Sequence, residues 1–176
     1  MFRNVHFEGY VIKKKMLLDA SYMVTFFTSG HGKLSMVAKG AKKITSKRAS
    51  HIQTGNKLNF FASKHTSGSW YLGTTSLVSG LASLKSDSSK SAALYNVLQL
   101  IDLLLPEDQK DIVVFDAFTQ FLIKLGDNGV DPKEFTLGFA DSLINHLGYG
   151  KRNVKTVSEL SNVIATITGQ EITFLA

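Results

Sequence analysis

Apolar and polar positions over the first eighty residues alternate with a period of two, the pattern of half-buried strands. Val5, Phe7, Gly9 and Val11 share one side of a segment from 4 to 15, with His6, Glu8, Tyr10 and Ile12 on the other. That predicts a strand covered in part on both faces, bent at Gly9, with Lys13–Lys15 leaving the sheet. Tyr22–Thr28 and Lys33–Ala38 predict the next two strands, burying Val24, Phe26, Leu34 and Met36. Gly30 and Gly32 bracket His31 in the turn between them, where residues tolerant of positive φ are needed. Lys57–Ser63 turns Leu58, Phe60 and Ala62 inward, and Ser69–Ser76 sets Trp70, Leu72 and Thr74 against Tyr71, Gly73 and Thr75, with Ser67-Gly68 as the turn. Five short strands with one long loop between the third and fourth suit a small closed barrel. The OB type is the commonest of these, and an SH3-like barrel is compatible with the same pattern.

After Gly80 a serine-rich stretch from 84 to 90 gives way to helical periodicity. Leu94, Leu98, Ile101 and Leu105 share a face ended by Pro106. Asp111 to Leu125 repeats the pattern with Ile112, Phe115, Phe118, Leu122 and Leu125 inward, closed by Gly126. Asp131-Pro132-Lys133-Glu134 opens a third helix: Asp131 caps, Pro132 takes the first helical position, and Glu134 reaches back as in a capping box. Phe135, Phe139, Leu143 and Leu147 follow at i, i+4 spacing before Gly148. A fourth helix is expected over 156–168, with Leu160, Ile164 and Ile167 inward. Phe115, Phe118, Phe121, Phe135 and Phe139 are expected to be core of this helical part. The fold class is therefore α+β: a barrel domain over residues 1–80, then an all-α bundle over 81–176.

Charge divides along the same line. Residues 1–80 carry 12 Lys/Arg against Glu8 and Asp19, a net of +10, whereas residues 81–176 carry 8 against 12 acids, a net of −4; together they give the chain's +6. A basic front half on a neutral-to-acidic back half points to an anionic partner for the barrel. The chain has no cysteine, which removes disulfides and cysteine-ligated metal sites and fits a reducing compartment. No apolar run approaches membrane-spanning length, and the opening MFRNVHFEGYVIKKK has no h-region, so a cytoplasmic protein without membrane attachment is expected.

Catalytic patterns are missing. Gly30-His31-Gly32-Lys33-Leu34 resembles the end of a phosphate-binding loop, but it lacks the first glycine and the Ser/Thr after Lys33, and it lies between strands. His6, His31, His51, His65 and His146 show no metal spacing, and Glu107, Asp108 and Asp111 lie where a helix begins and acids are expected without catalysis. No GxSxG elbow is present. A non-enzyme without cofactor or metal is the expectation. What is present is a basic loop, Lys39 to Arg48, holding Lys39, Lys42, Lys43, Lys47 and Arg48 with no acid, and Lys33 on the adjoining strand. These cations are expected to be solvated and to meet phosphates, a sequence-independent and salt-dependent mode of binding. Aromatic residues lie nearby; Phe26 and Phe60 read as core, while Phe61, Trp70 and Tyr71 are candidates for stacking on bases.

EGYVIKKK, VTFFTSGHGKLSMVAKGAKKITSK, LGTTSLVSG, ALYNVLQLIDLLLPE and INHLGYG occur in that order over about residues 7 to 149 and resemble the bacterial RecO family. FTSGHGKLSMVAKGAKK carries the likeness most closely, and LLLPE at the end of the first long helix adds an independent match. The resemblance implies an N-terminal OB-fold and a helical domain in a bacterial, nucleoid-associated protein. It implies binding of single- and double-stranded DNA, annealing of complementary strands, contact with the C-terminal tail of single-strand-binding protein, and joint action with RecR to load RecA. By position it makes Lys39 to Arg48 the DNA-binding loop. Many members carry a four-cysteine zinc module after the position of Leu147-Gly148-Tyr149; here KRNVKTVSELSNVIATITGQ follows, so a short form without that module is expected. The competing reading, from the basic barrel alone, is an RNA-binding OB protein of translation or RNA processing.

Overall fold

The computed structural model describes residues 4–42, 46 and 48–175. These divide into two compact units, one of residues 1–81 with 105–115, the other of 82–104 with 116–176.

The first unit is a barrel. Its strands are β1 (Asn4–Met16), β2 (Tyr22–Thr28), β3 (Gly32–Ala38), β4 (Lys57–Lys64) and β5 (Trp70–Ser79), and a short helix α1 (Arg48–His51) lies between β3 and β4. They close in the order β1-β2-β3-β5-β4, with β1 also pairing β4, every ladder antiparallel except β3–β5. This is the OB-type barrel, with the SH3-like alternative set aside by strand order. Alternation decides what is inside: Phe7, Val11, Val24, Phe26, Leu34, Met36, Leu58, Phe60, Ala62 and Leu72 form one core cluster. Phe60 stacks on Phe26 at 4.1 Å and on Phe7 at 5.4 Å between centroids. Each such ring buried contributes roughly 1.5–3 kcal/mol relative to exposure.

Two glycines have separate reasons. β1 shifts register between Val11 and Lys13, so the irregularity expected at Gly9 lies further along, and β1 continues through Lys13–Lys15 to Met16. Gly9 is instead a point of close approach, where a Cβ would lie 2.6 Å from the Phe27 carbonyl oxygen. In the β2–β3 turn only Gly32 has positive φ, at 67°, and a Cβ there would fall on the backbone of Gln109. The turn is closed by Thr28, whose hydroxyl donates to the Gly32 carbonyl at 3.0 Å and accepts from the His31 amide at 3.1 Å.

Residues 105–115 belong with the barrel, which the helical periodicity did not indicate. The Asp108 amide donates to the Lys33 carbonyl at 2.8 Å, Ser35 donates to the Glu107 carboxylate, and Phe115 lies against Phe27 and Tyr10 at 5.3 and 5.9 Å. Phe115, expected in the helical core, is thus buried against the outer side of β1 and β2.

The second unit holds α2 (Ala82–Ser86), α3 (Ser88–Leu104), most of α4 (Ile112–Gly126), α5 (Pro132–His146) and α6 (Val157–Thr168). Asp131 caps α5 as expected, accepting from the amides of Lys133 and Glu134 at 2.9 and 3.5 Å, and Thr156 caps α6 through the Glu159 amide. Two faces differ from expectation. The buried stripe of α5 is Thr136, Leu137, Ala140, Leu143 and Ile144, so Phe135 and Phe139 stand at its flank, where both rings meet Phe121 at 4.9 and 5.2 Å. On α4 the buried positions are Val114, Phe115, Phe118, Phe121, Leu122 and Leu125, which leaves Ile112 45% exposed. On α5 the row of Phe135 and Phe139 lies beside the stripe that packs, whereas on α4 Phe115, Phe118, Leu122 and Leu125 are buried as expected and only Ile112 is not. The segment after α6 folds back on α3: buried Asn96 donates to the Leu175 carbonyl at 2.9 Å and accepts from its amide at 2.8 Å, with Phe174 buried beside it. Among the described residues no helix is long and apolar enough to cross a membrane.

Gly9→Ala is expected to destabilise the barrel by about 1–3 kcal/mol, because the backbone of β2 cannot yield as a side chain can; urea unfolding checks it, and an unchanged midpoint would refute the close-packing explanation. Asn96→Ala removes both partners of Leu175 and is expected to release the last segment at a cost of roughly 1–3 kcal/mol. Limited carboxypeptidase digestion should then trim the variant faster than the parent protein; equal rates would show that Phe174 alone holds the segment.

Candidate nucleic-acid interface

Register fixes where the cations stand. Met16 pairs Tyr22, which pairs Ala38, so the β1–β2 turn lies beside the exit of β3 into the basic loop. Met36 and Val37 pair Trp70 and Tyr71 in parallel, so Tyr71 stands beside the end of β3, while Lys64 and the β4–β5 turn run back along β3 toward the β2–β3 turn, with Lys64 Nζ 4.0 Å from Asp108. Lys39, Lys42 and Tyr71 are therefore gathered where β3 leaves the barrel, with Trp70 and Lys64 set further back along the β3–β5 edge. Lys33 is not among them. It stands six positions before Lys39 on β3, about 20 Å along an extended strand, and it is only 8% exposed. Lys43 and Lys47 lie outside the described residues.

The loop is anchored rather than wholly solvated. Arg48, at the start of α1, is half-buried, and its guanidinium donates to the carbonyls of Lys39 at 2.6 Å, Leu72 at 2.8 Å and Gly73 at 3.4 Å. This differs from the expectation that every cation from Lys39 to Arg48 is free in solvent. The cause is local: Ala41 and Ile52 pack fully into the barrel core on either side, which sets the start of α1 against β5 and its guanidinium over these carbonyls. The Lys42 amide donates to the Ala20 carbonyl at 3.0 Å, tying the same loop to the β1–β2 turn, while its side chain is exposed. His51 is hydrogen-bonded to the Thr75 hydroxyl at 2.9 Å, a third tie between α1 and the barrel.

Two of the cations over aromatic faces lie along the β3–β5 edge. Lys39 Nζ lies 4.4 Å from the centroid of Tyr71, and Lys64 Nζ lies 5.4 Å from that of Trp70. Tyr71 is half-buried on the outside of β5 with His65 edge-on at 6.0 Å. Trp70 is less open than a stacking platform would be: it is half-buried and meets Phe7 edge-on at 5.4 Å in the mouth of the barrel. Phe61 is exposed on β4, tilted against His6 at 5.1 Å. Lys14, which pairs Val24, reaches over the Tyr22 ring at 5.0 Å and donates to Gln53 Oε1 at 3.1 Å; partial burial lowers its pKa from the ordinary lysine value. Lys64 and Lys14 were not among the sequence candidates. Each sits at a strand end where its stem covers a ring and its ammonium stays near water, which alternation alone does not distinguish from an ordinary edge lysine. Below Trp70, a groove of about 410 Å³ is lined by Met23, Ser35, Met36 and Lys64 and closed by Glu107 and Asp108. Its carboxylates set an acidic limit to the basic end. Cations held on rings beside the anchored start of a basic loop suit a strand of nucleic acid, with phosphates on the ammonium groups and bases against the aromatic faces.

Known proteins resemble the chain over most of its length. The family models for "Recombination protein O N terminal" and "Recombination protein O C terminal" match residues 1–81 and 85–155. The chain is 28% identical to the DNA repair protein RecO of Bacillus cytotoxicus over 148 residues, 84% of this chain and 58% of that protein. It is 28% identical to the RecO protein of Listeria monocytogenes over 143 residues, 80% and 54% of the two chains, and 30% identical to that of Chloroherpeton thalassium over 132 residues, 74% and 51%. It thus spans a little over half the length of these curated relatives. With an OB-type barrel under the N-terminal match and helices under the C-terminal one, the chain belongs to the RecO family.

Proposed function

We propose that this chain is a DNA repair and recombination mediator. It binds single- and double-stranded DNA at the basic end of its barrel, anneals complementary strands, and acts with RecR to load RecA on DNA coated with single-strand-binding protein. The observation that carries the proposal is the gathering of Lys39 on Tyr71 with exposed Lys42 where β3 enters the basic loop, in a chain of the RecO family. Lys39, Lys42, Lys43 and Lys47 take phosphates, and Arg48 holds the loop in place while adding its charge to it. Phe61, Tyr71 and the open edge of Trp70 offer rings to bases. Lys33, buried at the far end of β3, contributes to the field of the barrel rather than to direct contact. No catalytic step is needed for annealing: neutralising two backbones lets complementary strands meet, and base pairing supplies the specificity.

In the helical unit a groove of about 600 Å³ runs between α4 and α5, lined by Phe121, Phe135 and Phe139 with Lys124 at its edge. It supports a place for the acidic, apolar C-terminal tail of single-strand-binding protein. Asp131 and Glu134 at the same groove weaken the attraction, so the rings would supply most of the binding.

Affinity for matched single-stranded DNA and RNA, with annealing of complementary DNA, tests the proposal against an RNA-binding role. Preference for RNA without annealing would overturn it. Replacing Lys39, Lys42, Lys43 and Lys47 by glutamine is expected to flatten the slope of log affinity against log salt by about 3, since each phosphate contact on a single strand adds about −0.7. The melting temperature should be nearly unchanged. Arg48→Met should behave differently, losing roughly 1–3 kcal/mol of stability with its carbonyl partners left unpaired. A quadruple variant with an unchanged salt slope and an unchanged melting curve would exclude the loop from DNA binding.

A further inference from the structure

The β1–β2 turn carries two large apolar side chains where a soluble domain would ordinarily place polar ones. Met16 is 58% exposed and Leu18 is 88% exposed. They follow directly on Lys13, Lys14 and Lys15. The turn is held in shape: the Leu17 amide donates to the Ser21 carbonyl at 3.0 Å, the Ser21 hydroxyl to the Asp19 carbonyl at 3.3 Å, and Asp19 and Ala20 both take positive φ. Positive φ at two non-glycine residues in succession is costly and persists only where surrounding contacts hold it. The Lys42 amide on the Ala20 carbonyl is one such contact, and Lys14 on Gln53 fixes the strand leading into the turn. The exposed pair is thus presented by a braced hairpin, joined to the basic loop.

We infer that this turn is a wedge: Met16 and Leu18 enter between bases at a junction of single- and double-stranded DNA, while Lys13, Lys15 and Lys42 meet the flanking phosphates. Inserted leucine and methionine side chains unstack base steps in proteins that deform DNA, and a wedge needs apolar bulk, rigidity and adjacent cations. All three occur here together. Lys13, Lys15 and Lys42 are exposed, and Asp19 is the one acid in the turn. A membrane is a poorer fit, because two side chains on a hairpin lack the extended apolar face that holds a protein in a bilayer interface. The wedge rests on the DNA-binding proposal and extends it. An annealing protein gains from it at the moving fork of a growing duplex, where an unstacked base is free to find its partner.

The test uses the full chain and an oligonucleotide with 2-aminopurine at a single-strand–duplex junction, whose fluorescence rises when the base unstacks. The parent protein is expected to raise the signal. Met16→Ser/Leu18→Ser is expected to lose most of that rise and to bind the junction about tenfold more weakly, the equivalent of one apolar side chain no longer buried. Its salt slope on plain single strands and its melting temperature should be unchanged, since both side chains are exposed in the free protein. Leu18→Met should keep the rise. A double variant with the full rise would overturn the wedge, as would one that keeps the rise and instead loses binding to phosphatidylglycerol–phosphatidylethanolamine vesicles. A parent protein that binds DNA without any rise would refute the wedge alone; one that binds no DNA would refute the function on which it rests.

Discussion

The guanidinium of Arg48 donates to carbonyls of Lys39, Leu72 and Gly73, and the basic end of the barrel depends on that bracket. A loop with five cations between 39 and 48 repels itself, and nothing in its composition would fold it onto the protein. Arg48 supplies the constraint. Its planar fork reaches β5 and the start of the loop at once, which a lysine ammonium does not do with the same geometry. That attachment, with the Lys42 amide on the Ala20 carbonyl and with Ala41 and Ile52 buried on either side, keeps Lys39 against Tyr71. The described start of the basic loop is thereby held at one end of the barrel.

The connection from Leu105 to Phe115 is the second constraint on the barrel unit. It lies against Lys33 and Ser35 of β3 through Asp108 and Glu107, and against β1 and β2 through Phe115. Gly32 is required there for two reasons at once, positive φ and the Gln109 backbone. Glu107 and Asp108 also line the groove below Trp70, so the basic surface ends where this connection begins. The helical unit has its own closure in Asn96, a side-chain amide that satisfies both backbone groups of Leu175.

Much of this was legible in the sequence, for physical reasons that also explain the rest. Strand period, a fixed two, placed Phe7, Val11, Phe26, Met36 and Phe60 correctly in the core, and the Asp131-Pro132 start of α5 is a local signal with a local outcome. Helix faces were harder, because aromatic rows such as Phe135 and Phe139 compete with the smaller Leu137 and Ala140 that allow close packing. The charge asymmetry pointed to the basic loop. It said nothing of the role of Arg48, whose partners are backbone carbonyls 24 and 25 residues later and leave no trace in side-chain pattern. The exposed Met16 and Leu18 were hidden for the opposite reason: an apolar run after three lysines looks like ordinary core until the turn is seen to face water.

Amide hydrogen exchange with and without a single-stranded oligonucleotide tests most directly whether the anchored basic end is the DNA-binding surface. Binding there predicts slowed exchange in three separated segments, the β1–β2 turn over 15–22, the start of the basic loop over 37–42, and β5 around Tyr71 over 71–73. Strands at the far end, around Thr28 and Gly32, should exchange as in the free protein. Protection confined to that far end, or to the helices from α3 to α6, with the three segments unaffected, would contradict it.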